Sequence, residues 1–337
     1  MARTWPRLWR DLRSWRVLLV GAGGLLVVLG TLASFRSRSE RIPQPNGIDI
    51  LGAAGSAISG NWPNDGRLPT ADPVDLRAFV DRNREALELA RSGLDRESLV
   101  VFANNEEGLM AQATIHRRLL QVTRLLAADH FAASAEGKIE EAWRSDLDAL
   151  RVGQAGTQGG MLVHAQLCWS LQGYAIDRIR GLRDRLGSAD CRAILASLAE
   201  IDRRRVAPAA LVGRWERWYA GAFGLPLKIT ARFNGIEAAE RKNQQARAKA
   251  AADKIGRSFR FLMVELAIHA YVLDRKALPR SLGDLVPAYL PRIPIDPTTG
   301  LPIDYPKTPG GDLAEDLGNV GGSEVEGKAP APPPAPG

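Results

Sequence analysis

Histidines are the side chains of this chain best suited to metal binding, and the 337-residue sequence holds four of them: His116, His130, His164 and His269. A zinc site on one helix needs two histidines four residues apart, and no pair has that spacing. His116 and His130 would lie on similar faces of one predicted helix, and a site assembled across helices could use them. The alternative is an ordinary polar or half-buried histidine.

Neighbouring carboxylates could supply the acid and base of a glycosidase-type site. Three pairs occur: Glu106 with Glu107, Glu140 with Glu141, and Asp146 with Asp148. General acid catalysis needs a cleft that raises the pKa of one carboxyl group. These pairs stand among the polar residues of predicted helix faces, so we expect solvated carboxylates.

Two glycine-rich stretches look like nucleotide-binding loops but fail in their context. Residues 322–328, GSEVEGK, match GxxxxGK, yet Ala329 stands where such a loop needs Ser or Thr. Residues 17–24, VLLVGAGG, resemble a strand entering a dinucleotide loop, yet Leu26 occupies the third glycine position. A GxSxG nucleophile motif is absent. The sequence therefore assigns no catalytic, cofactor-binding or metal residue, and we expect neither an enzyme nor a cofactor.

Arginines and aromatic residues mark two candidate surfaces. A basic stripe could meet anionic lipid headgroups or envelope polymers, or could be a solvated face; it comprises Arg178, Arg180, Arg183, Arg185 and Arg203–Arg205. An aromatic stripe with helical spacing comprises Trp215, Trp218, Tyr219 and Phe223. It could touch a membrane interface or a ligand, and we favour core packing.

The first 35 residues predict a membrane anchor. Residues 17–35, VLLVGAGGLLVVLGTLASF, are uncharged and long enough to cross a bilayer as one helix. Residues 1–16 contain five arginines, so the positive-inside rule favours a cytoplasmic N-terminal segment and an extracytoplasmic body at the inner membrane. A cleaved signal peptide is the alternative, with a poor site at Thr31-Leu-Ala33. Those arginines explain part of the net charge of +7, and we expect no nucleic acid partner.

The two cysteines, Cys168 and Cys191, would stand in a compartment where disulfides persist. If a helical hairpin turns near Gly187, Cys168 lies about 19 residues before the turn and Cys191 about four after it. A rise of about 1.5 Å per residue then separates them by roughly 20 Å or more, beyond disulfide reach. We therefore predict two buried thiols.

The rest of the sequence predicts a mainly α fold. Residues 36–72 are rich in Gly, Pro, Ser and Asn and indicate a flexible linker. Apolar residues then recur at helical spacing in successive runs, over 73–94, 106–135, 138–152, 161–186, 190–204 and 236–275. Short glycine-containing turns between these runs favour stacked antiparallel helical hairpins. We expect a helical domain over 73–275, a small loop and short-strand module over 276–310, and a disordered tail over 311–337.

The C-terminal module carries tyrosine, leucine, proline and glycine at distinctive spacing. The residues concerned are Ala270-Tyr271, Leu273-Asp274, Pro279, Ser281-Leu282, Leu285-Val286, Tyr289-Leu290, Pro294, Asp296-Pro297, Gly300, Pro302 and Tyr305. This run, within residues 266–310, resembles the segment after the long helix of type II secretion major pseudopilins. The resemblance implies a short helix from Leu282 that folds back on the long one, a turn at Gly300 and a strand ending at Tyr305. It also implies a weak calcium site at Asp312, Asp316 and Asn319, for which solvated turn residues are the alternative.

The layout as a whole also resembles a group of membrane-anchored proteins of planctomycete-type bacteria, and that resemblance implies no activity. We expect a single-pass protein of the cell envelope whose helical body is a scaffold or a partner-binding surface. Its partners would be the bilayer, through residues 17–35, and an envelope protein. Two alternatives stay open, namely an accessory component of a type II secretion or pilus-like system and an extracytoplasmic hydrolase.

Overall fold

The computed structural model describes residues 42–60, 71–101, 106–216 and 236–304, and the described residues from Pro45 onward belong to one compact unit. The described residues are mainly α-helical and contain no strand, which confirms the predicted mainly α class. The helices are α1 (Gly47–Ala57), α2 (Pro73–Arg82), α3 (Arg84–Leu94), α4 (Glu106–Ala135), α5 (Ile139–Thr157), α6 (Leu162–Leu182), α7 (Ser188–Arg203), α8 (208–216) and α9 (Ile236–Arg275). Two short 3₁₀ turns, Arg183–Arg185 and Leu282–Leu285, complete the regular structure of this part of the chain.

The predicted linker over residues 36–72 is wrong for residues 47–57, which form helix α1. Its apolar residues Ile48, Leu51 and Ala54 are buried in the core. The glycines that suggested flexibility serve close packing instead, because a Cβ at Gly55 would overlap the backbone carbonyl of Arg118 on α4. The remaining parts of the predicted linker at 36–41 and 61–70 lie outside the described residues.

The run predicted as one helix over 73–94 is two helices that meet at Asn83. Helix α2 begins as expected, with the Asp72 carboxylate accepting the N–H of Val74 at 2.8 Å and Pro73 in the first turn. Asn83 is buried, and its side-chain amide donates to the carbonyls of Phe79 and Ser59. These bonds compete with helical hydrogen bonding, so the chain changes direction at Asn83.

Helices α4, α5 and α6 lie side by side with alternating direction. Asp129 on α4 faces Ser145 on α5, and Asp146 on α5 faces Arg178 on α6. Helix α5 continues to Thr157, past its predicted end at residue 152. Gly153 and Gly156 were predicted as loop but lie within the helix, where their missing side chains let α6 approach.

Helix α9 packs against α6 and α7. Arg180 on α6 donates to Glu265 on α9 at 2.9 Å, and Arg260 on α9 donates to Asp202 on α7 at 3.1 Å. The predicted limits of α4 and α9 agree with the structure, because both sequences keep a helical apolar period and contain no proline.

Residues 276–304 fold back on the end of α9 and belong to the same compact unit. The 3₁₀ turn at Leu282–Leu285 buries both of its leucines, and Leu290 and Ile303 are buried beside them. Where a short strand ending at Tyr305 was predicted, the described residues hold only an antiparallel bridge between Ile295 and Pro302.

The predicted transmembrane segment, residues 17–35, lies outside the described residues, as does the tail from residue 305. Among the described helices, none combines the length and the apolar character that a membrane crossing requires. Both cysteines are free and buried, as predicted. Burial raises the pKa of the Cys168 thiol to about 12 and that of Cys191 to about 11.

Candidate functional site

A groove runs along the outer face of α5. It consists of two cavities of about 580 and 390 Å³ that share Leu94 and Arg151. Helix α5 supplies the floor, α3 forms one wall, and the C-terminal half of α7 forms the other. We call this feature the charged groove.

The charged groove is built from helical periodicity. On α5 the lining residues Glu141, Arg144, Asp148 and Arg151 recur every three or four residues, which places them on one face. The wall from α3 repeats the pattern, with the sequence of charges Arg84, Glu88, Arg91 and Asp95. Opposite charges therefore alternate along both helices.

Charges in the groove balance. Seven arginines line the two cavities: Arg77, Arg84, Arg91, Arg96, Arg144, Arg151 and Arg204. Seven carboxylates accompany them: Glu88, Asp95, Glu97, Asp129, Glu141, Asp148 and Glu200. Their formal charges, +7 and −7, cancel, so the groove presents alternating charge with no net sign.

A buried network fixes the base of the groove. Asp129 accepts the hydroxyl of Ser145 at 2.6 Å and a guanidinium N–H of Arg91 at 3.0 Å. Arg91 also donates to Asp148 at 3.1 Å, and Arg77 reaches Asp129 at 3.5 Å. Burial raises the pKa of Asp148, and the positive charge of Arg91 acts in the opposite direction. The network ties α2, α3, α4 and α5 together and leaves the groove with a rigid floor.

Asp146 and Asp148, predicted as solvated neighbours, occupy different environments. Side chains two positions apart on an α-helix point about 200° away from each other. Asp148 therefore faces the groove while Asp146 faces the core. Asp146 is 0% exposed. The prediction of a solvated side chain is wrong at this position. Of the other predicted pairs, Glu140 and Glu141 are exposed, and the side chains of Glu106 and Glu107 are outside the described part.

Histidines His116 and His130, predicted as candidates for one metal site, are not brought together. Their 14 positions of separation on α4 correspond to roughly 20 Å along the helix. The described residues contain no group of three or more His, Cys, Asp or Glu side chains that could hold a metal ion. The hypothesis of a shared His116–His130 site is therefore wrong.

His130 instead belongs to a buried cluster of three polar side chains, with Asp146 and Arg178. Its Nδ1 lies 2.7 Å from Asp146 Oδ2, and Arg178 Nε donates to Asp146 Oδ1 at 2.5 Å. These three side chains connect α4, α5 and α6, and none of them lines either cavity of the groove. Their place in the interior gives them a structural role in the helix packing.

His116 lies against His164 of α6, with 4.0 Å between the ring centroids. The backbone N–H of Met161 donates to His164 Nδ1 at 3.3 Å. Burial, with the neighbouring His116 as a second cause, lowers the pKa of His164 to about 3. His269 lies elsewhere, with its Nε2 3.3 Å from the carbonyl of Leu186.

The predicted basic stripe is not one surface. Arg178 pairs with buried Asp146, Arg180 with Glu265, and Arg205 with Asp202 while stacking over Phe259 at 4.3 Å. Arg185 donates to Ser134, and Arg183 and Arg203 pair with nearby carboxylates at the surface. Hairpin packing turns neighbouring arginines towards different helices, so the stripe offers no continuous site for lipid headgroups.

Several predicted residues lie outside the described chain. They are Trp218, Tyr219 and Phe223 of the aromatic stripe, the calcium candidates Asp312, Asp316 and Asn319, and the 322–328 glycine motif. Trp215 is described, within α8.

The charged groove was not predicted from the sequence because alternating charges on a helix are usual for a solvated face. The signal that could have found it is the same alternation on two helices, α3 and α5.

No known protein family, curated protein or solved structure matches the chain. A functional argument for this protein therefore depends on the geometry and charge of its own groove.

Proposed function

We propose that this protein is a membrane-anchored scaffold of the cell envelope that binds a protein partner in the charged groove. In this proposal residues 17–35 hold the chain in the inner membrane, and the helical body stands outside the cytoplasm. The observation that carries the proposal is the groove itself, a concave surface with alternating charges above a rigid network.

Polypeptide is the ligand class that this surface suits. A groove with seven positive and seven negative side chains gives a polyanion such as nucleic acid no net attraction. A peptide or helix with mixed charges can pair with both signs along its length, and charge pattern then decides which partner fits. Arg84 and Arg144 are two-thirds exposed in their present ion pairs, so exchanging those pairs for a partner's carboxylates costs little.

The test is a crosslinking pull-down of the tagged full-length protein from its native cells, followed by mass spectrometry. A double variant, Arg84→Glu with Arg144→Glu, reverses two exposed charges of the groove. We expect it to lose the partner that the unchanged protein captures. The matched control is Arg183→Glu, an exposed arginine outside the groove, which should capture the partner normally. Equal capture by all three proteins would refute binding in the groove.

A role in a type II secretion or pilus-like system is the second candidate. It is supported by the pseudopilin-like pattern of residues 266–310 and by exposed apolar side chains there, Leu278 at 57% and Leu301 at 65%. The same pull-down separates the candidates. Enrichment of secretion or pilus components that depends on Leu278 and Leu301, and is indifferent to the groove variant, would support this role.

A hydrolase would need catalytic side chains beside a cleft. His130, Asp146 and Arg178 do converge, but they do so in the interior, away from both groove cavities. The proposal therefore includes no catalytic step.

A further inference from the structure

One end of the charged groove has more arginines than carboxylates, and we call it the arginine-rich end. The smaller cavity is lined by Arg96, Arg151 and Arg204 against two carboxylates, Glu97 and Glu200, which leaves one positive charge in excess. Leu94 and Ile201 add apolar surface to the same cavity. Arg96 pairs with no carboxylate among the described residues. This part of the groove favours an acidic segment that also carries apolar side chains.

Hydrogen bonds link the end of the described chain to α7, the helix that forms one wall of this cavity. Ile303 is buried, and its N–H donates to the carbonyl of Pro294 at 2.9 Å. The next carbonyl, that of Ile295, accepts Arg260 Nη1 at 2.7 Å, and Arg260 Nε donates to Asp202 at 3.1 Å. Asp202 stands on α7 between Glu200 and Arg204 of the cavity lining. These bonds place the exit of the described chain beside α7, while Glu200 and Arg204 line the cavity from the opposite side of that helix, about 10–12 Å across its diameter.

The sequence that follows contains acidic and apolar residues, and it is long enough to reach the cavity. Residues 305–311 can span up to roughly 25 Å when extended. They lead to residues 312–317, DLAEDL, with three carboxylates at Asp312, Glu315 and Asp316 and two leucines at Leu313 and Leu317. The leucines stand four residues apart, a spacing that places them on one side of a helical turn.

We propose that residues 312–317 bind in the arginine-rich end of the charged groove of the same chain. The three carboxylates meet Arg96, Arg151 and Arg204, and the leucines lie against Leu94 and Ile201. The segment then competes with any partner for this end of the groove. This inference rests on the proposed function for its biological meaning, while the intramolecular contact can be measured without a partner.

A photo-crosslinker attached to Leu313→Cys in the full-length protein tests the contact. Cys168 and Cys191 are buried, so a thiol reagent labels the introduced cysteine in the folded protein. We expect intramolecular crosslinks to residues 94–98, 151–158 and 200–204, with a yield that does not change on dilution. Crosslinks spread over other surfaces, or a yield that falls with dilution, would overturn the inference.

Charge reversal supplies the control. The double change Arg151→Glu with Arg204→Glu should lower the crosslink yield roughly fivefold, the effect of two exposed ion pairs. Arg183→Glu, at an arginine of similar exposure to Arg151, should leave the yield unchanged. A yield that is equal in both variants would contradict recognition by the groove arginines.

The two proposals fail in different ways. If the crosslinks form as expected but no partner depends on groove residues, the proposed function is wrong and the intramolecular contact stands. If a partner is lost in the Arg84→Glu, Arg144→Glu variant but Leu313→Cys gives no groove crosslinks, the contact is wrong and the proposed function stands.

Discussion

Buried charges in this protein are neutralised by side chains of other helices. Asp146 has no exposed surface, and it is held by Arg178 of α6 and His130 of α4. Arg178 is itself only 9% exposed. Removing the carboxylate would leave a guanidinium buried without its partner, which is usually far more costly than losing both charges.

Asp146→Ala should therefore lower the free energy of unfolding by about 3–5 kcal/mol. The double variant Asp146→Ala with Arg178→Met removes both charges and should recover part of that loss. Urea denaturation followed by circular dichroism measures both values. A double variant that is less stable than Asp146→Ala alone would contradict the neutralising role of this pair.

The His164 imidazole makes stability depend on pH. Its pKa is lowered from 6.5 to about 3 in the folded protein, chiefly by burial. As pH falls below about 6.5, the unfolded chain binds this proton while the folded chain does not, so stability is lost with falling pH. The expected slope is roughly 1.4 kcal/mol per pH unit for this one group.

Urea denaturation at several pH values between about 6.5 and 4 measures that slope. His164→Gln should flatten the dependence, even if its absolute stability changes. Ser170→Ala, at an exposed position of α6 without a titratable side chain, should keep the slope of the unchanged protein. The same slope in all three proteins would show that another group titrates.

Among the helices, the α5–α6 contact depends on glycine. A Cβ at Gly156 would lie 2.5 Å from Cys168 Sγ, closer than real Cβ atoms approach sulfur. Gly156→Ala should destabilise the protein by about 1–3 kcal/mol because two tightly packed helices must move apart. Combining it with Cys168→Ala, which removes the sulfur, should recover much of the loss.

Gly181, on α6, is the matched control, since a Cβ there would meet nothing within 4 Å. Gly181→Ala should stabilise the protein by about 0.5–1 kcal/mol, the difference in helix propensity. Thermal unfolding measures all of these variants. If Gly156→Ala behaved like Gly181→Ala, the close approach of α5 and α6 would be wrong.

What the sequence predicts at this scale depends on whether the apolar period is interrupted. Helices α4 and α9 were predicted with their limits, because neither contains proline and the helical spacing of apolar residues continues past Gly108 and Gly256. Helix α1 and the end of α5 were read as linker and loop, since glycine favours flexibility unless a neighbouring helix uses the missing side chain. The position of that neighbouring helix depends on tertiary packing, which a single helix sequence does not encode. The same holds for the fit of α3 beside α5 that creates the charged groove.

The described residues from Pro45 onward belong to one compact unit, and α1 is part of its core. Leu51 of α1 is 0% exposed. Leu51→Ala should lower the free energy of unfolding by about 2–5 kcal/mol and shift the whole transition, since the unit unfolds together. Val74→Ala, at a position 73% exposed, should change stability very little. An early separate transition in Leu51→Ala would show that α1 melts independently.

Ion pairs between distant helices also set an order of assembly during synthesis. Arg180 and Glu265 are separated by 85 positions, and Arg192 and Asp274 by 82. A chain made from its N-terminus presents α6 and α7 long before α9 has left the ribosome. Until then Arg192 lacks Asp274, and Arg180 keeps only Asp177 of its two carboxylate partners, so the last long helix completes the charge balance of helices made before it. A nascent chain that stalls ahead of α9 is therefore left with exposed apolar surface and uncompensated arginines, the state that chaperones and proteases recognise.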